Sequence, residues 1–440
     1  MSYAFAALMF SALLIGLATG HPLAFVLGGL GVIFGLFGWG SDSIMLIFVN
    51  SIFGVMNNYT LVAIPLFVLM ANFLTASNIA EGLFDSMRYL LGRLRGGMGL
   101  TVIMVSTVFA ACTGVVGASV ITMGLLSIGA LLNYGYDRRL IAGVVCAGGS
   151  LGILIPPSIM LVVMAATAQI SVGKLFLACF TPGLLLAAGY AAYTLTICYR
   201  HPERGPALSE EELARVPIRQ RILGSLVNLV PPVILILGVL GSIYTGTATP
   251  TEASGVGAFL ALLMTFAYRR FSWKMLRDSV YDAAKTTGMC MAIMVGAAAF
   301  TSMFLGLGGD EVVKNMIAAL GLGKWGIFCL MMAIVFILGC FLDWMGIVMI
   351  VLPIFLPLIR DMGFDMIWLI AVLATMLQTC FLTPPFGYAL FYFKGIAPKE
   401  ITTQEIYAGV IPFVIIIILA VILLTIFPNL VMWLPNLSKA

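Results

Sequence analysis

Apolar stretches of about 20 residues recur from one end of this 440-residue chain to the other, each long enough to cross a bilayer as a helix. Lipid offers no partner to an exposed backbone amide, so such a chain is confined to helices or a closed barrel. The alternation of polar and apolar residues that a membrane barrel needs is absent. Hydrophobic residues make up 62% of the chain and charged residues only 9%, against about 25% charged in a soluble domain, so a water-facing surface could not be covered. The expected fold is an all-α polytopic membrane protein. Spans are expected near 3–20, 22–39, 59–79, 171–199, 225–244, 251–268, 287–307 and 402–436. Four other stretches, about 97–132, 138–169, 325–359 and 366–397, carry breaks and need separate treatment. The eight cysteines are scattered through apolar runs without a CxxC pair, and His21 and His201 are the only histidines. They read as small buried hydrophobes rather than metal ligands. No basic segment precedes the first apolar run, so no cleaved signal peptide is expected.

The basic residues give the orientation. Counting crossings, with 97–132 taken as a stretch that enters and returns, puts 17 Lys and Arg on one side. They fall in five groups: Arg88 to Arg95, Arg138 and Arg139, Arg200 to Arg221, Arg269 to Lys285, and Lys394 with Lys399. Only Lys174, Lys314, Lys324, Arg360 and Lys439 remain for the other side. Cytoplasmic loops hold the excess of basic residues, so the 17 are expected in the cytoplasm and both termini outside. The loop 200–221 is the one long polar linker and divides the chain into 1–199 and 222–440.

Those halves repeat at an offset of 228 residues. Pro22 meets Pro250, Gly135 meets Gly363, Asp137 meets Asp365, and Pro156-Pro157 meets Pro384-Pro385. Ile170-Ser171-x-x-x-Leu175-Phe176 has a counterpart, slightly displaced, in Ile401-Thr402-x-x-x-Ile406-Tyr407. The first half crosses the membrane an odd number of times, so the second enters upside down. Inverted-topology repeats are the build of many secondary transporters.

Each half interrupts two of its membrane segments. Thr113-Gly114-Val115-Val116-Gly117-Ala118-Ser119, midway through 97–132, is a poor helix centre and suits the tip of a re-entrant hairpin. Gly339, Asp343 and Gly346 hold the matching place in 325–359. A double proline removes amides and breaks a helix, which is expected at Pro156-Pro157 and at Pro384-Pro385. Freed carbonyls at membrane depth survive only inside protein or along a cavity, where half-helix ends serve ions and anions. Asp343 is the one acid expected near the midplane, a functional candidate because a charge there costs about 2.5–3.5 kcal/mol or more. Glu252, in Thr249-Pro250-Thr251-Glu252, reads as a capped helix start.

Gly152-x-x-Ile155-Pro156-Pro157-Ser158, Thr249-Pro250-Thr251-Glu252-Ala253 and Thr383-Pro384-Pro385-x-Gly387, with the pair of hairpins, resemble the large membrane subunit of tripartite ATP-independent periplasmic (TRAP) transporters. The likeness covers nearly the whole chain. It implies an elevator-type ion-transporter fold that carries small organic anions with sodium ions across the bacterial inner membrane. It also implies a small four-helix membrane subunit and a periplasmic substrate-binding protein as partners. Carried over, the first sodium site falls on Thr113, Gly152, Ile155 and Pro156, and the second on Gly339, Cys380, Thr383 and Phe386, largely through carbonyls. Substrate contact falls on Asp343 and Ser158, with Thr113 beside them. The family's first tip usually reads Ser-Gly-Ser where this chain has Thr113-Gly114-Val115, and a glycine is common where Cys380 stands.

Two other readings compete. A stand-alone sodium–dicarboxylate or citrate-type symporter shares hairpins and inverted repeats but needs neither partner. An intramembrane aspartyl protease needs two facing aspartates, and Asp343 is the only one placed at depth. No Gly-rich loop ending in Gly-Lys-Ser/Thr is present for nucleotide hydrolysis, and nothing points to nucleic acid.

Overall fold

Asp137 and Asp365 start the fold's two interrupted helices in the same way. Asp137 accepts a hydrogen bond from the Arg139 amide at 2.7 Å, and Asp365 accepts from Ile367 and Trp368 at 2.8 and 3.0 Å. These bonds satisfy amides that a helix N-terminus leaves without partners. Two residues earlier Gly135 and Gly363 take φ of 75° and 67°, a left-handed conformation that glycine adopts without strain. The repeated Gly-x-Asp is thus a turn that ends one helix and caps the next.

The computed structural model describes residues 3–39, 41–214 and 216–437, and among them no residue is in a strand. Arg215 and Lys439 lie outside the described residues. Among the described residues eight helices are long and apolar enough to cross a membrane, including Tyr59–Ser77, Val172–Arg200, Ile218–Tyr244, Pro250–Ala267, Trp273–Gly306 and Thr403–Ile426. The stretch expected to span 402–436 stops at Ile426 and resumes as a separate helix, Asn429–Leu437, after Pro428. The one expected at 287–307 starts earlier, at Trp273, capped by the Ser272 hydroxyl. Three helices lie where the sequence marks no span: Ile79–Leu91 and Gly309–Ala319 carry charged residues, and Ser41–Met56 is apolar but short. Pro250–Ala267 opens with a capping box between Thr249 and Glu252. The Thr249 amide and hydroxyl both donate to the Glu252 carboxylate, at 2.8 and 2.9 Å.

Both hairpins form. The first has arms Gly97–Thr113 and Val116–Asn133, and the second Lys324–Gly339 and Trp344–Asp361. Both double prolines break their helices. Arg138–Ser150 gives way to a tight turn before Ile159–Ala168, and Met366–Met376 and Thr379–Leu382 give way before Tyr388–Ile396.

Mates at the 228-residue offset exchange packing partners. Leu23–Trp39 lies against Trp273–Gly306, while its mate Pro250–Ala267 lies against Ala63–Ser77. Arg138–Ser150 packs on Thr403–Ile426, while Met366–Met376 packs on Val172–Arg200. Backbone contact holds the first of these last pairs: a Cβ at Gly143 would stand 2.5 Å from the Gly409 carbonyl. Small residues that let backbones meet are the usual means of packing helices in lipid, where no hydrophobic drive exists between them. The fold is an all-α polytopic membrane protein of two inverted-topology repeats, each with a re-entrant hairpin and a Pro-Pro-broken helix.

Candidate functional site

The site begins with two missing amides at each break. In a helix a carbonyl accepts from the amide four residues on, and for Gly152 and Cys380 that residue is the first proline of each pair. The amides three residues on are taken elsewhere: Ile155 donates to the Leu151 carbonyl at 3.0 Å and Thr383 to the Thr379 carbonyl at 2.8 Å. The Gly152 and Cys380 carbonyls are therefore free of both usual helical partners, and they stand 228 residues apart.

A hairpin tip reaches each break. At the first, Gly114 turns the chain with φ 63°, and a Cβ there would lie 3.0 Å from the Pro157 carbonyl oxygen. The Thr113 hydroxyl meets the Ser119 hydroxyl at 2.9 Å. Ser119 in turn flanks Gly152, whose Cβ position is 3.3 Å from the Ser119 Oγ. At the second, the Cβ position of Gly339 is 2.9 Å from the Cys380 Cβ. Each break lies midway along its interrupted helix, so each tip stops at mid-depth, as a re-entrant hairpin must.

The structure thus brings Thr113 beside Gly152 and Gly339 beside Cys380. Ile155 and Pro156 are buried at the first break, Ile155 packed against Gly183. The Ser158 hydroxyl is buried and engaged locally, donating to the Ile153 carbonyl and accepting from the Leu161 amide at 3.4 Å. It caps Ile159–Ala168. The Thr383 hydroxyl bonds the Thr379 carbonyl at 2.7 Å, and the Cys380 thiol bonds the Leu377 carbonyl at 2.7 Å. Phe386 sends its ring outward, 52% exposed and tilted against Phe391 at 6.2 Å.

Asp343 occupies the N-cap position of the second hairpin's returning arm, where the positive helix end favours a carboxylate. It is partly buried, and no Lys, Arg or His among the described residues pairs with it. Cys380, Tyr388 and Tyr392 all lie within range of its charge. The Tyr392 ring also touches the other tip, since a Cβ at Gly117 would stand 2.9 Å from its Cζ. The half-helix Tyr388–Ile396 thus packs against the first tip through Tyr392. Asp343 groups with the second break and its tyrosines, and Ser158 with the first.

Sequence reasoning missed four of these residues. Ser119 was legible as a tip hydroxyl but not as the partner of Thr113 and Gly152. Tyr388 and Tyr392 stand four apart on a half-helix, which matches any aromatic belt at a membrane interface. Gln378, two residues before Cys380, is fully buried, and neither its amide nitrogen nor its oxygen has a partner among the described residues. An unsatisfied buried carboxamide costs about 1–3 kcal/mol, and Gln378 stands two residues from Cys380, whose carbonyl is freed at the second break. Among the described residues no cluster of His, Cys, Asp and Glu could hold a metal ion by side chains. Any ion here would rest on carbonyls, hydroxyls and Asp343.

The comparisons agree with this architecture. Residues 10–430 match the model of the family described as tripartite ATP-independent periplasmic transporter, DctM component. The C4-dicarboxylate TRAP transporter large permease protein DctM of Pseudomonas aeruginosa is 31% identical over 386 residues, 88% of each chain. The isethionate TRAP transporter permease protein DctMQ of Oleidesulfovibrio alaskensis is 32% identical across 85% of this chain and 57% of its own length. The sialic acid TRAP transporter permease protein SiaT of Haemophilus influenzae is 28% identical across 87% of this chain and 61% of its own. The crystal structure of the Alcanivorax borkumensis YdaH transporter shares the fold, with a TM-score of 0.62 at 14% identity over 94% of this chain and 97% of that one. The chain is a multi-pass membrane protein that belongs to the tripartite ATP-independent periplasmic transporters, a family of transporters and not of enzymes, as their DctM component.

Proposed function

We propose that this chain is the transporting subunit of a sodium-coupled TRAP system that takes up a small organic anion across the bacterial inner membrane. The observation that carries the reading is the pair of freed carbonyls, Gly152 and Cys380, each lying beside a hairpin tip at mid-depth. Carbonyls and hydroxyls without amide partners suit a hard monovalent cation, and half-helix carbonyl ends play that part in other secondary transporters. The first sodium ion takes Thr113, Gly152, Ile155 and Pro156, joined by Ser119. The second takes Gly339, Cys380, Thr383 and Phe386.

Asp343 explains why the ions are needed. At the second tip its unpaired carboxylate repels an organic anion unless a cation sits between the two, so substrate binds only to a sodium-loaded site. The relatives' names include a C4-dicarboxylate, isethionate and a sialic acid, which supports a carboxylate or similar anion as cargo here. Residues 1–199 and 222–440 form the two repeats and 200–221 the cytoplasmic linker, with both termini periplasmic. The hairpins and broken helices move as one body against the remaining helices, in an elevator motion. A small four-helix membrane subunit completes the fixed part, and a periplasmic binding protein delivers the cargo.

Orientation is checked by single cysteines in 200–221 and 269–278, which resist an impermeant thiol reagent in spheroplasts; ready labelling overturns the topology. Function is checked by reconstituting this chain alone, with the small subunit, and with both partners. Uptake should need all three and rise steeply with sodium. Uptake by the lone chain would favour the stand-alone symporter, and uptake driven by a proton gradient without sodium would remove the coupling proposed.

A further inference from the structure

A cavity lies away from the tips. A crevice of about 540 Å³ separates the outer part of the second hairpin from the helix Trp273–Gly306, within the usual range of about 300–1,000 Å³ for small-molecule sites. Its hairpin wall is one helical face: Met349, Pro353, Pro357 and Arg360 follow at intervals of four, four and three residues. The two prolines are internal to the helix, so the carbonyls of Met349 and Pro353 lose their amide partners on that same face. Thr301, Ser302, Asn58 and Gln169 add polar side chains to the lining. Gln169 and Thr301 make no side-chain hydrogen bond to another described residue.

Among the described residues Arg360 supplies the only charge in the lining. One guanidinium nitrogen donates to the Ala168 carbonyl at 2.7 Å, at the end of Ile159–Ala168. No carboxylate among the described residues pairs with it, and its side chain is exposed. A guanidinium carries five donors in a planar fork that fits a carboxylate, and a single hydrogen bond leaves most of them free. The freed carbonyls accept, and the carboxamides and hydroxyls both donate and accept.

We propose that this crevice is a loading site for a small carboxylate bearing hydroxyl or amide donors, held by Arg360 at its mouth before it reaches the tips. Arg360 binds the acid group, and the Met349 and Pro353 carbonyls select the donors. The site rests on the transporter reading, with Arg360 on the periplasmic side. It offsets the repulsion that Asp343 exerts deeper in the path, by gathering the anion where the local charge is positive.

The test measures modification rates, without transport. A Thr301→Cys chain, with Cys329 and Cys340 replaced by serine because the other native cysteines are buried, is embedded in neutral-lipid nanodiscs with its small membrane subunit. It is treated with a sulfonate and with a trimethylammonium methanethiosulfonate, each rate divided by that with a free thiol in solution. The crevice should favour the sulfonate by about tenfold, since a charge-lined cleft concentrates counter-ions by about 10–10³. Arg360→Gln, which keeps a donor for the Ala168 carbonyl, should abolish that preference, and Arg360→Lys should retain it. Millimolar malate should slow the reaction more than succinate, which lacks the hydroxyl. A preference unchanged in Arg360→Gln overturns the proposal. So does a preference erased by phosphatidylglycerol in the nanodisc but untouched by malate, which would assign the crevice to a lipid phosphate. Charge selection with no sodium-driven uptake would instead sink the transport reading alone.

Discussion

An Asp343→Asn variant should lose sodium-driven uptake by about 10–100-fold, the equivalent of one charge-assisted interaction of about 1.5–3 kcal/mol, while folding as well as the parent. The side chain is partly buried at a hairpin tip, with no basic residue among the described ones to pair with it. A carboxylate in such a position is stabilised by the positive end of its own helix and by whatever cation the site admits. Asparagine keeps the size and the N-cap preference, so the helix Trp344–Asp361 should start as before. What disappears is the charge that attracts sodium. The half-saturating sodium concentration should therefore rise, and sodium binding should fall in parallel with transport. Full uptake at unchanged sodium affinity would make Asp343 a helix cap and nothing more.

Gly114→Val should damage the first tip more than any other single change to a turn. At φ 63° a residue with a Cβ pays about 1–2 kcal/mol of backbone strain, and β-branching raises this further. The Cβ position also stands only 3.0 Å from the Pro157 carbonyl, so the valine methyls must push the tip from the break, an overpacking worth about 1–3 kcal/mol more. Gly135→Val separates the two costs, because Gly135 has φ 75° but nothing within 4 Å of its Cβ position. Thermal unfolding should show a smaller loss for Gly135→Val than for Gly114→Val. Only the second should also weaken sodium binding, because only it parts Thr113 and Ser119 from Gly152. Equal losses in both variants, with sodium binding intact, would mean that contact between tip and break contributes nothing to the site.

Much of this was legible before any coordinates. Apolar runs of membrane length leave the backbone one affordable hydrogen-bonding scheme, so helices follow from composition. A double proline cannot be accommodated inside a helix, so Pro156-Pro157 and Pro384-Pro385 mark breaks wherever they occur. Gly135 and Asp137, with Gly363 and Asp365, encode a turn and a cap through local backbone preference alone, and their repetition exposed the two halves. The family resemblance pointed to Gly152 and Cys380, and the structure supplied the reason, since a carbonyl four residues before a proline loses its usual helical partner.

Tertiary structure decided what surrounds those features. Nothing in the order of residues says that Ser119 lies between Thr113 and Gly152, or that Tyr392 packs against Gly117. These contacts join segments whose separation in the chain carries no local signal. The helices Ile79–Leu91 and Gly309–Ala319 escaped for a related reason: hydropathy detects segments that face lipid, whereas these carry charges on amphipathic faces; Ser41–Met56 is apolar but shorter than a span. The Arg360 crevice is the extreme case. Its walls come from four separate stretches of chain, and a lone arginine at a helix end reads from sequence as an ordinary surface charge. Local chemistry determined the helices, breaks and turns, because backbone hydrogen bonding in lipid leaves few choices. The grouping of side chains around two tips and one crevice was decided only when the helices packed, because proximity in space is the one property that sequence spacing does not carry.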